Sequence, residues 1–88
     1  MRYRIAFTDP AQREFDQLPR HVQKRAARWI DLLAQDPRRE GTKKLVGIGE
    51  LRRVHASKDY VIVYVIRDKE VLVLIVRVAH RKEVYRGL

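Results

Sequence analysis

The chain has no cysteine. That excludes disulfide staples and thiolate chemistry, and it fits a cytoplasmic protein, where thiols stay reduced. No apolar run approaches the roughly 20 residues a membrane-spanning helix needs, so no membrane partner is expected. The N-terminus lacks the apolar stretch of a signal peptide. Glycine is scarce: three of the four fall between positions 41 and 49, and Gly47-Ile48-Gly49 is no phosphate-cradling loop. Internal repeats and low-complexity segments are also missing. Acidic residues are few, with 11 Asp and Glu against 20 Lys and Arg, a formal charge of +9.

What is present fits one domain. Eighty-eight residues can bury a single modest core, so residues 1–88 are read as one unit. The positive charge is unevenly spread. Residues 38–58 hold seven Lys and Arg against two acids, a net +5, and residues 77–88 hold four against one, a net +3. Residues 59–76, between them, carry a net −1. Such clustering is a solubilising surface or a site for a polyanion, and at this density the polyanion reading leads.

The segment between the two basic clusters is the centre of the chain. Tyr60–Ile66 and Val71–Val76 are β-branched, apolar runs flanking the polar break Arg67-Asp68-Lys69-Glu70, which predicts a hairpin. Neither run alternates, so these strands should be covered on both faces for part of their length. Upstream, Arg2–Phe7 alternates as a strand with one wetter face. Thr8-Asp9-Pro10 starts a helix to about Leu18, which Pro19 stops. Arg20 opens a second helix to about Gln35, with Val22, Ala26, Trp29, Ile30 and Leu33 as its apolar stripe. Residues 37–49 are read as a loop. Leu51–Ala56 is a further strand, with Leu51, Arg53 and His55 on one face and Arg52, Val54 and Ala56 on the other. The fold class is α+β: order β-α-α-β-β-β, a small, mostly antiparallel sheet with a helical hairpin on one face.

Arg53, His55, Arg77, His80, Arg81 and Tyr85 should meet on the sheet face or rim away from the helices. Such a set suits RNA cleavage by the RNA's own 2′-hydroxyl. That reaction needs a proton acceptor, cations for the charge growing on the phosphate, and a donor for the leaving oxygen. It requires neither metal nor cofactor, and histidines without a carboxylate cluster make a poor divalent site. The bland alternative is that Arg53, Arg77 and Arg81 form surface pairs with Glu50, Glu83 or Asp59.

These residues also carry a resemblance. The helical hairpin with Leu18-Pro19, Lys43-Lys44-Leu45 followed by glycines, Leu51-x-Arg53-x-His55, Asp59-Tyr60, Val63-Tyr64 and the closing Arg77-Val78-x-His80-Arg81-Lys82-Glu83-Val84-Tyr85 resemble the RelE/ParE superfamily of type II toxin–antitoxin toxins, on the RelE side. The resemblance implies a RelE-like fold and a ribosome-dependent endoribonuclease that cuts messenger RNA. It implies a small cognate antitoxin, RelB-like or of another kind, as inhibitor, with operator DNA reached only through that antitoxin. It gives Arg81 the phosphate-stabilising role, Tyr85 proton transfer or base stacking, and Arg53 and His55 a basic strand. His55 is the leading candidate base, since its ordinary pKa of about 6.5 suits neutral pH better than tyrosine's of about 10. Arg38, Arg39, Lys43, Lys44, Arg52, Lys58, His80 and Lys82 are the expected RNA and ribosome contacts.

One position departs from the pattern. The family usually has a catalytic arginine after the tyrosine of Asp59-Tyr60, and here that residue is Val61. Arg77 on the neighbouring strand could compensate if Val61 faces the open side of the sheet. Alternatives are a ParE-like gyrase poison or a weakly active RelE-fold binding protein, since one fold serves both activities.

Overall fold

The computed structural model describes residues 2–88. Its elements are β1 (Arg4–Phe7), α1 (Asp9–Asp16), α2 (Arg20–Gln35), β2 (Lys43–Lys44), β3 (Arg52–His55), β4 (Tyr60–Arg67), a 3₁₀ turn (Asp68–Glu70) and β5 (Leu72–His80). None of the described helices is long and apolar enough to cross a membrane. The five strands form one sheet in the order β1-β5-β4-β3-β2. β2, β3, β4 and β5 pair antiparallel, and β1 pairs parallel to β5. This is the expected α+β architecture with one correction. The segment read as a loop contains a short edge strand, because Lys43 and Lys44 pair with Arg53 and Arg52. A two-residue lysine strand has no apolar pattern to betray it, and lysine is a common blunting residue at sheet edges.

Both helices cover one face. Ala11, Ala26, Ile30 and Leu33 pack on Val54, Ala56, Ile62, Tyr64, Ile66, Val73, Ile75 and Val78, with Phe7, Phe15 and Trp29 at the border. Tyr64 is fully buried, and its hydroxyl donates to the Pro37 carbonyl at 2.6 Å, which ties the end of α2 to the sheet. A buried phenol needs such a partner.

A β-bulge in β5 decides which way its far end faces. Val63 pairs with Arg77 but Tyr64 pairs with Ile75, so Val76 is the extra residue. Ile75 and Val78, three apart, therefore both reach the helix-side core, which strict alternation forbids. β1 pairs with β5 only as far as Ile75. Beyond it the outer edge of β5 is capped by the chain entering α1. The Thr8 hydroxyl donates to the Val76 carbonyl at 3.0 Å and accepts the Ala11 N–H as the helix N-cap. A carboxylate oxygen of Glu14 accepts the Val78 N–H at 3.1 Å. Unpaired edge groups are thus closed by side chains instead of a strand.

The opposite sheet face is not open. Val61, Val63 and Val84 form a second buried cluster, with Leu45, Leu51, Val76 and Ala79 against it. Val61 faces away from the helices, yet it is 0% exposed. It does not meet solvent there, because Val84, from the C-terminal tail, packs over it. At the other end of the sheet, Arg38 grips Asp68 through two hydrogen bonds of 3.1 and 2.8 Å, and the Tyr3 hydroxyl donates to the same carboxylate at 2.7 Å. The hydrogen bonds from Arg38 and then Tyr3 pull the Asp68 carboxyl down to about 2.

Two outcomes are expected. Val61→Arg would bury an unpaired guanidinium. It should cost several kcal/mol, on the order of 3 or more, and lower the melting temperature by more than roughly 10 °C, which thermal unfolding checks. Asp68→Asn should melt below the parent at neutral pH. Because the folded pKa of Asp68 lies below its ordinary 3.8, its stabilising effect is complete above that pH and disappears as pH falls through about 2. The gap between the two melting curves should therefore close over that window.

Candidate functional site

The second apolar cluster is the floor of the site. Cross-strand register puts Arg53 opposite Val63 and His55 opposite Val61, so both share the face of the floor valines. Lys43 lies opposite Arg53 on the outermost strand. Arg53 is half-buried, and His55 and Lys43 are exposed. These three border the floor on one side. The tail borders it on the other, where Val84 is buried and Arg81, Lys82 and Tyr85 are exposed. The tail is turned back at once after β5: the N–H groups of Glu83 and Val84 both donate to the His80 carbonyl, and the Arg81 N–H donates to the Asp59 carbonyl at 2.7 Å. A basic rim around a small apolar floor is the result.

The sequence-derived cations do not all reach this rim. Arg52 sits on the other face, opposite Tyr64, and donates to the Thr42 hydroxyl at 2.9 Å. With Lys44, Arg38, Glu50, Ile66 and Asp68 it lines a separate open cleft of about 290 Å³. Arg38 is taken by Asp68, and Arg39 lies over the Trp29 ring, 6.0 Å from its centroid. Lys58 is exposed in the β3–β4 turn and lines a cleft with His21, Arg25, Asp59 and Tyr60. His80 contacts Tyr60 edge-to-face, and its Nδ1 accepts the Lys82 N–H at 3.2 Å, which leaves the proton of the neutral ring on Nε2.

Among the described residues, three arginine–carboxylate pairs separate available cations from committed ones. Arg81 Nε lies 3.4 Å from Asp59, and both side chains are about half exposed, at 53% and 46%. Such a pair contributes about 0–1 kcal/mol, so an arriving phosphate can replace the carboxylate. Arg77 is different. Its Nε and Nη2 hold Glu14 through three contacts of 2.8 to 3.1 Å, at only 22% and 24% exposure. Its Nη1 donates to the Arg86 carbonyl at 2.9 Å. The Glu14 hydrogen bonds raise the pKa of Arg77 further. Arg77 lies opposite Val63 in the register, but its guanidinium is held by Glu14 of α1 and by the tail. Its partner is none of the acids anticipated. Glu14 lies 63 residues away, and nothing near it in sequence points to the site.

Comparison with known proteins adds to this geometry. Residues 5–85 match the family model described as the ParE toxin of the type II toxin–antitoxin system parDE. No curated protein matches the chain. Among solved structures, the isolated Escherichia coli RelE toxin is similar over 94% of this chain and 90% of its own, with 28% identity and a TM-score of 0.79. The archaeal RelE–RelB complex from Pyrococcus horikoshii is similar over 94% and 99%, with 26% identity and a TM-score of 0.77. A YoeB/ParE toxin from Agrobacterium tumefaciens shares the fold at 10% identity, covering 89% and 98%, with a TM-score of 0.80. A family match over residues 5–85, nearly the whole length, makes this chain a member of the RelE/ParE family of toxins from type II toxin–antitoxin systems.

Proposed function

We propose that this toxin is a ribosome-dependent messenger-RNA endonuclease that works in the cytoplasm without metal or cofactor. The observation that carries the reading is the rim itself: Arg53 and His55 on one side of the apolar floor, and Arg81 and Tyr85 on the other, with Arg81 only loosely paired. In this reading His55 takes the proton of the 2′-hydroxyl as its oxygen attacks the phosphorus. Arg81 leaves Asp59 and meets the charge that grows on the phosphate, with Arg53 beside it. Tyr85 supplies a proton to the departing 5′ oxygen or stacks on a neighbouring base. The products are a 2′,3′-cyclic phosphate and a free 5′-hydroxyl. Lys43, Lys82 and Lys58 extend the cationic surface for the message and the ribosome.

A net +9 chain with an exposed basic rim calls for an inhibitor that supplies carboxylates, ordered as it binds. Its structural relatives include toxins in complex with their antitoxins, and a RelB-like or other small antitoxin fits the role here, with DNA contacted only through it. One observation favours a second reading. Val61 is apolar and fully buried where the family's catalytic arginine is usual, which suits a ParE-like gyrase poison that binds and does not cut RNA.

Arg81→Ala should lower cleavage of translated messages by about 10²-fold or more, the usual loss for a removed charge-stabilising contact, with little change in melting temperature because the side chain is exposed. Primer extension on messages after induction measures it. Intact messages together with growth arrest and DNA damage would overturn the nuclease reading in favour of the gyrase one.

A further inference from the structure

Among the described residues, Tyr85 has no hydrogen bond to the body of the protein; its carbonyl accepts only the Leu88 N–H within the tail. Its place follows from its two neighbours. On one side Val84 is buried in the floor. On the other, the Arg86 carbonyl accepts a bond from Arg77 Nη1. That bond is aimed by Glu14. A guanidinium is planar, so when Nε and Nη2 are both held by one carboxylate, the direction of Nη1 is set. Glu14 is itself fixed, because Oε1 also accepts the Val78 N–H at the bulged edge of β5. A relay therefore runs from α1, through the edge of the sheet, to the C-terminal tail.

We propose that Glu14 is a positioning residue: acting through Arg77, it fixes the tail so that the exposed Tyr85 ring stands at the rim beside Arg81. Lysine at position 77 could not do this, since a point cation lacks the fork that binds a carboxylate with one edge and a carbonyl with the remaining nitrogen. The bulge at Val76 belongs to the same device, as it re-aims residue 77 away from strict alternation. What Tyr85 then does rests on the nuclease reading, but where it stands does not.

The test uses the full chain labelled with fluorotyrosine, whose four tyrosines are Tyr3, Tyr60, Tyr64 and Tyr85. In fluorine NMR, Glu14→Gln and, separately, Arg77→Lys should shift the Tyr85 resonance toward that of an unstructured peptide. The resonances of Tyr3, Tyr60 and Tyr64 should stay in place. A Tyr85 signal that does not move in either variant overturns the proposal. So does movement of all four signals together, which a merely structural role for the pair would give. In parallel, both variants should cut messages about 10- to 100-fold more slowly, a typical loss for a catalytic group displaced by an ångström or so. Adding Tyr85→Phe to Glu14→Gln should then cost no more than Tyr85→Phe alone, and full additivity counts against the relay. If Tyr85 alone shifts but the parent protein cuts no message, the relay stands and the nuclease reading falls.

Discussion

The structure depends on burying β4 from both sides. Ile62, Tyr64 and Ile66 face the helices, and Val61 and Val63 face the other way with no second layer of helices to cover them. A buried valine stabilises by roughly 1.5–3 kcal/mol, which a domain of this size needs. The covering must come from irregular chain. Leu45 and Leu51 come from the loop between β2 and β3, and Val84 from the tail. The basic residues flank that loop, with Lys43 on β2 and Arg53 on β3, and lie in the tail with Arg81 and Lys82. The chain that covers the far side of β4 therefore also sets where the cations around it stand.

The same constraint gives the arginines different roles. Where a carboxylate is half-buried and both its oxygens are used, as with Glu14, the cation is part of the framework. Where the pair is solvated and held by one long contact, as with Arg81 and Asp59, the cation is free to exchange partners. Arg38 lies between these cases: it is exposed, but its bidentate grip on Asp68, shared with Tyr3, joins the entry to β1 with the β4–β5 turn. A count of positive charges along the chain would treat the three alike. Burial and hydrogen-bond geometry separate them.

Much of this was legible in the sequence. Helical periodicity located α1 and α2, Thr8 marked the start of the first, and Pro19 marked the break between them. The unbroken apolar runs of β4 and β5 announced strands buried on both sides, because an exposed face would have demanded alternation. Face assignment within β3, with Leu51, Arg53 and His55 apart from Val54 and Ala56, followed from the two-residue period alone. Local rules were sufficient here because each of these features is decided by residues close together in the chain.

Three features were decided only by tertiary structure. The bulge at Val76 shifts the parity of β5, and its cause is the match between two strands and the helix-side core, not a signal in either strand. Val61 is buried by Val84, 23 positions on, in a tail whose composition reads as exposed. Arg77 meets Glu14 across 63 residues. Apolar pattern specifies which residues leave water, so the sequence by itself determined the two helices and the four longer strands, while the two-residue β2 carried no such pattern. It does not specify which partner a long charged side chain takes, since that choice rests on distance and solvent exposure, and these exist only once the chain has folded.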